Sequence, residues 1–232
     1  MRGLFITATD TDAGKTHCTN LIVRDLRSQG VRVGCYKPVC SGSLLAADQT
    51  RSWEDVNVLA EALGGQFPQE RICPQTFDAP LAPSSAARLA GREIDEELLR
   101  GGVDWWSDRV ELLCVEGVGG LLCPLSDRQT VADLAGDIGF PLLIVCPLVL
   151  GAINHTLLTV SVAQSRNLPI AGLVINQIRP VTDAVSESTI AEIRARTSVP
   201  ILAMMPFAER ERLRPLDGQE RIDWSAVAGL NR

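Results

Sequence analysis

Six short apolar runs recur along this chain: residues 3–8, "VRVGCYKPV", "VELLCVEG", "PLLIVCP", "IAGLVIN" and "PILAMMP". Between most of them lie segments whose apolar residues repeat at helical spacing. Residues 14–29 are one, with Leu21, Ile22 and Leu26 on one face. The others are "SWEDVNVLAEALGG", "TVADLAGDIG", "AINHTLLTVSVAQSRN" and "TDAVSESTIAEIRARTS", while "DEELLRGGVDWWSDR" starts as a helix and breaks at Gly101 and Gly102. The strand runs are apolar at successive positions, not alternate ones, so they predict strands covered on both faces. Strand and helix in alternation, with doubly covered strands, specify a mostly parallel sheet with helices on both faces. The fold class is therefore α/β, in three layers. Bulk from Leu, Val, Ile and Ala suits that packing: 46% of the 232 residues are apolar and only 4% aromatic. No linker, repeat or shift in composition divides the chain, so residues 1–232 are read as a single domain.

Charge and cysteine use narrow the function classes. The net charge is −6 and no block of basic residues occurs, which argues against nucleic acid as a partner. The seven cysteines are odd in number and form no C-x-x-C pair. They are expected to be small buried hydrophobes in a reducing cytoplasm, not a disulfide framework or a zinc site. The apolar run in "MRGLFITATD" is too short for a signal peptide. The longest apolar run, "FPLLIVCPLVLGAI", is split by Pro141 and Pro147 and falls short of a membrane span.

In a parallel sheet, ligands gather beyond the carboxyl ends of strands, so motifs at those ends carry weight. "TATDTDAGKT", residues 7–16, follows the first strand and opens the first helix. It ends as a phosphate-binding loop ends, with Gly14, Lys15 and Thr16, yet Thr9 stands where the common P-loop has its first glycine. Free backbone N–H groups and the helix dipole there favour an anion. Lys15 would reach β/γ-phosphates and Thr16 a magnesium ion; the alternative is a plain helix start. "YKPVCSG" places Lys37 at the end of the second strand, where it is either a surface charge or a second cation for a transferring phosphoryl group. "VEGVGG" ends an apolar strand on Glu116, a carboxylate that would be costly there without a cation, and the glycines that follow allow close approach of a ligand. Glu54 and Asp55 are either ordinary first-turn helix acids or a metal site. Asn154 and His155 start a helix, where a histidine is more often structural than catalytic, and Asn176 would either bond a base or cap the next segment.

Taken together, "ATDTDAGKT", "YKPVCSG", "VEGVGG", "PLSD", "GAINH" and "GLVIN" resemble, in the same order, the motifs of the dethiobiotin synthetases. These are P-loop NTPase-like enzymes whose own loop reads G-T-D-T-x-V-G-K-T. That loop is one residue longer than the common P-loop, which accounts for Thr9. This sequence departs at Ala8, where the family has glycine, at Ala13 for a frequent valine, and at Asp12 for a frequent Glu.

The resemblance implies ATP- and Mg²⁺-dependent ring closure of 7,8-diaminopelargonate with CO₂ (from bicarbonate) to dethiobiotin, ADP and phosphate. The route passes through a carbamate and a carbamic-phosphoric anhydride. Carried over residue by residue, it implies catalytic roles for Lys37, Lys15, Thr11 and Ser41. Nucleotide contacts fall on Asp12, Ala13, Gly14, Lys15, Thr16, His17, Asn176 and Pro206. Substrate contacts fall on Thr11, Lys37, Ser41, Gly117, Gly119, Gly151 and Asn154, and metal ligation on Thr16, Asp55 and Glu116. It also implies a homodimer with shared sites, Asn154 reaching the substrate carboxylate from the second subunit. Two rival groups share parts of this pattern. The cobyrinate a,c-diamide synthase group carries an added glutaminase domain, for which this sequence is expected to end too early. ParA/MinD-like ATPases need a lysine at the position held here by Asp10.

Overall fold

A computed structural model describes residues 1–45 and 48–230. Its centre is a seven-stranded sheet: β1 (Arg2–Ala8), β2 (Val33–Tyr36), β3 (Leu112–Glu116), β4 (Leu142–Pro147), β5 (Ile170–Asn176), β6 (Ile201–Met205) and β7 (Arg214–Pro215). The spatial order is β7-β6-β5-β4-β1-β3-β2. All neighbours are parallel except β6 and β7. Residues 3–8 and the whole of β3 and β4 are buried at every position, so both faces of the sheet are covered. This is the reason those runs are apolar without alternation.

The main helices are α1 (Lys15–Ser28), α2 (Glu54–Ala62), α3 (Val131–Ile138), α4 (Ala152–Ser165) and α5 (Asp183–Arg194). Helix α1 buries Cys18, Leu21, Ile22, Val23 and Leu26. Helix α3 opens on a reciprocal cap. The Thr130 backbone N–H donates to Asp133 Oδ2 at 2.7 Å, and the helix ends on Gly139 at φ 74°. Among the described residues, no helix is long and apolar enough to cross a membrane. All seven cysteines are free; six are buried and Cys123 is half-buried.

The chain order of the strands creates a switch. After β1 the chain moves to β2 and returns to β3 on one side, then crosses β1 to reach β4 on the other. The crevice beyond the carboxyl end of β1 is therefore the place where a doubly wound sheet holds ligands.

The structure departs from the sequence reading in its shorter pieces. The second strand ends at Tyr36, not Val39. Pro38 has no N–H for a ladder, and the Lys37 N–H turns away to the Ile72 carbonyl at 2.7 Å. Cys40–Ser41 then pairs with Thr76–Phe77 outside the main sheet. Glycine at 102 has a packing cause: a Cβ there would fall 2.1 Å from the Tyr36 hydroxyl. A 3₁₀ turn, Asp104–Trp106, follows and sinks Trp106 into the core. Short helices Gln69–Ile72 and Pro83–Leu89 and the antiparallel edge β7 carry no periodic signal and were not expected from the sequence.

Candidate active site

The loop between β1 and α1 wraps the switch point. Ala8 is the buried last residue of β1, paired with Val145, and it is not among the residues with positive φ. A methyl group is accommodated there as in any strand. Two residues of the loop do take positive φ, Asp12 at 53° and Gly14 at 91°. At Gly14 the reason is visible from the other side of the switch point. Asn176, the buried last residue of β5, donates its Nδ2 to the Ala13 carbonyl at 2.8 Å. A Cβ on Gly14 would lie 2.2 Å from that nitrogen. Both the backbone conformation and the space thus select glycine.

Helix α1 begins at Lys15, which is buried and donates to the Asp10 carbonyl at 3.3 Å. Burial, and then the neighbouring Lys37 ammonium, lower the pKa of Lys15 below that of a free lysine. One turn into the helix and across to β3, a group of side chains closes on Glu116. Its Oε1 accepts from Thr16 Oγ1 at 2.6 Å and from Lys37 Nζ at 2.7 Å, and its Oε2 from Thr19 Oγ1 at 2.7 Å. Lys37 Nζ also lies 2.7 Å from Asp55 Oδ2. Lys37 and Glu116 are both buried, at 1% exposure each. Burial alone would pull the Lys37 pKa down, but the Glu116 and Asp55 carboxylates outweigh it and hold the pKa well above that of a free lysine. For Asp55 the balance is the mirror image. Burial raises its pKa, while the Lys37 charge and hydrogen bond, with help from the Thr16 hydroxyl, bring it below the ordinary value.

These groups border a cleft of about 770 Å³. Of the residues named from the sequence, Thr11, Asp12, Gly14, Lys15, Thr16, His17, Lys37, Ser41, Asp55 and Gly119 line it. Glu54 lines it too, on the same helix turn as Asp55, but only Asp55 is paired with Lys37. Glu116 lies beneath the cleft and reaches it through Thr16 and Lys37. Gly117 is buried behind it, its N–H donating to the Ile6 carbonyl at 2.9 Å. Gly119 is at φ 59°, over the loop. His17 Nε2 donates to the Arg210 carbonyl at 2.6 Å, which ties the start of α1 to the segment after Pro206. That segment, residues 207–212, borders a separate cavity of about 720 Å³.

Gly151 and Asn154 are not in the cleft of their own chain. They border a third cavity, about 540 Å³, formed by residues 148–154 with Arg179, Val181, Val185 and Thr189. Its lining is largely apolar and open: Leu150 is 95% exposed and Val185 51%.

Two parts of the site had no sequence signal read from them. Thr19 is one, although its place four residues after Lys15 puts it on the same helix face. The other is the segment Pro80, Leu81 and Ala82, which forms a cleft wall and is tied down by Ser41 Oγ donating to the Leu81 carbonyl at 2.6 Å. The proline spacing in "DAPLAPS" marks a turn, but not which way it faces.

Comparison with known proteins gives consistent relatives. A family model described as an AAA domain matches residues 2–211. A protein of Anaeromyxobacter dehalogenans (strain 2CP-C), named ATP-dependent dethiobiotin synthetase BioD, is 43% identical over 207 residues, 89% of this chain and 91% of that one. Proteins of the same name from Rhodopirellula baltica and Nitrosospira multiformis are 37% and 34% identical, with 82% and 92% of their lengths covered and 86% and 93% of this chain. Among solved structures, chloroplast FtsY from Physcomitrella patens aligns with a TM-score of 0.54 at 16% identity, over 99% of this chain and just under two thirds (65%) of that one. A MinC:MinD cell division protein complex from Aquifex aeolicus aligns with a TM-score of 0.52 at 15% identity, over 93% of this chain and 88% of that one. Likeness at such identities shows the P-loop NTPase-like fold and nothing further.

The packing around Gly14 yields a test. Gly14→Ala meets both an unfavourable φ and the Asn176 amide, so the loop has to shift to admit it. Nucleotide affinity, measured by isothermal titration calorimetry, is expected to fall by about tenfold or more, the equivalent of the 1–3 kcal/mol such strain costs. Because the same contact with the buried Asn176 exists in the free protein, the melting temperature should fall as well.

Proposed function

The chain belongs to the ATP-dependent dethiobiotin synthetase family, and from that premise we propose that it closes the cyclic urea of dethiobiotin from 7,8-diaminopelargonate, CO₂ and ATP. The observation that carries this reading to the residues is the buried Lys37, held between Asp55 and Glu116 beside the Lys15 loop. One amine of the substrate traps CO₂ as a carbamate. A carbamate is a poor acyl donor until its oxygen becomes a good leaving group, and phosphoryl transfer from ATP supplies one. The second amine then attacks the activated carbon and expels phosphate.

Each residue has a task in that sequence. The loop N–H groups and the start of α1 hold the phosphates. Lys15, at the start of α1, and Lys37, just past β2, face the transferring group and stabilise its charge. Thr11 and Ser41 line the cleft where the carbamate would lie, and Gly119 lets the backbone approach it. Asp12, Ala13 and His17 belong to the nucleotide side, with Asn176 and the segment at Pro206 bordering the base. Thr16, Asp55 and Glu116 present a hydroxyl and two carboxylates to one another. Such hard oxygen donors suit Mg²⁺, which, when bound, supplies further charge neutralisation to the phosphates. The cleft holds both amines near the reacting carbon, which favours ring closure over hydrolysis.

We further propose a cytoplasmic homodimer, with no role for nucleic acid or membrane. The exposed Leu150 and Val185, both lining an apolar cavity, support an interface there. Asn154, absent from its own cleft, would then meet the substrate carboxylate of the partner, at the start of α4.

The first test is phosphate release from ATP by the purified protein, which should require both diaminopelargonate and bicarbonate. Release that ignores either one would refute the reaction. Within that assay, Lys37→Gln keeps a hydrogen-bonding side chain and removes the charge. Turnover should fall by about 10²–10³-fold while ATP affinity stays within a few-fold; wild-type turnover in the variant would remove Lys37 from the mechanism.

Site sharing is tested by complementation. Lys37→Gln and Asn154→Ala, each folded and nearly inactive alone, are unfolded and refolded together in equal amounts. Half of the dimers will be mixed, and each mixed dimer has one site with both changes and one with neither. Activity should return to about a quarter of wild type. Mixed dimers seen by native mass spectrometry without recovered activity would show that the site is not shared this way.

A further inference from the structure

Glu116 is buried and its two oxygens are treated differently. Oε1 takes two donors, Thr16 Oγ1 and Lys37 Nζ, whereas Oε2 takes one, Thr19 Oγ1 at 2.7 Å. Thr19 is itself fully buried on α1 and does not line the cleft. It therefore touches neither the nucleotide nor the substrate directly. Its hydroxyl also lies 3.0 Å from the Lys15 carbonyl, the local bond that Thr makes in many helices. One hydroxyl has a single proton to give. The carboxylate oxygen is the nearer acceptor and the charged one, so it is the stronger claim on that proton.

The consequence is orientational. A carboxylate held at one oxygen can turn about its last bond; one held at both cannot. With Oε2 fastened from below, Oε1 stays aimed at Thr16 and Lys37, at the edge of the cleft. We infer that Thr19 is a positioning residue, which fixes the rotation of Glu116 and so the placement of the Thr16–Glu116–Asp55 oxygen donors. This rests on the reading of Glu116 as a metal ligand. Groups that orient ligating carboxylates typically matter by about 10–100-fold in metal affinity or activity.

Thr19→Val keeps the shape, removes the proton and leaves Oε2 buried without a donor. Thr19→Ser keeps the proton. Binding of Mn²⁺ to the enzyme with ADP is followed by electron paramagnetic resonance, beside the Mg²⁺ dependence of turnover. For Thr19→Val, both the Mn²⁺ dissociation constant and the half-saturating Mg²⁺ are expected to rise about tenfold or more, and Thr19→Ser should restore both. A role confined to helix stability would lower the melting temperature and leave the Mn²⁺ constant unchanged. That result, or equal loss in Thr19→Ser, overturns the inference. If Thr19→Val does not fold, Thr19→Ala, smaller and a better helix former, is read by the same measurement with the same two outcomes. Glu116→Gln in parallel separates the layers. If it leaves Mn²⁺ binding unchanged, Glu116 is not a ligand and the role of Thr19 falls with it. If Glu116→Gln weakens binding and Thr19→Val does not, only the role of Thr19 is refuted.

Discussion

A carboxylate at the inner end of a parallel strand cannot stand alone. Glu116 is held away from water at the end of β3, and an uncompensated charge there would cost several kcal/mol. Lys37 supplies the compensation, and Asp55 shares it from the side that water reaches. Removing one partner of such a buried pair commonly costs about 3–5 kcal/mol. The site is thus assembled by the same charges that its chemistry would use. The Lys15 ammonium stands close enough to feel Lys37 and both carboxylates, so the two negative groups are matched by two positive ones.

Sheet order brings these groups together across long stretches of chain. β2, β3 and β1 are adjacent and parallel, so their carboxyl ends are side by side. Lys37 follows the first, Glu116 ends the second, and the Lys15 loop leaves the third. Asn176 comes from β5, two strands beyond β1, and reaches back to the loop carbonyl. Parallel strands need crossovers that each return to the same edge, which is why the motifs are far apart in sequence yet meet along one edge.

Most of this frame was legible in the sequence because it depends on pattern. Successive apolar residues in residues 3–8 and "PLLIVCP" gave the covered strands, and GKT after a strand gave the loop. What was not legible depended on direction. Pro38 was visible as a residue, but not that the Lys37 N–H would turn to Ile72 and end β2 early. Thr19 read as one more helix residue, because a hydroxyl declares its partner only in three dimensions. Pro80 to Ala82 drew no reading at all, because a loop without periodicity does not say which cleft it walls. Asn176 was taken as a base contact or a cap; its Nδ2 bonds the loop carbonyl of Ala13.

The two edges of the sheet have a bearing on how the molecule keeps to itself. One edge, β2, has four residues and is cut off by Pro38; the other, β7, has two residues and ends on Pro215. Proline offers no N–H to a visiting strand, and short edges give it little to grip. The main sheet therefore presents no long template on which another chain could extend it. Among the described residues, both edges of the main sheet thus disfavour growth by strand-on-strand pairing.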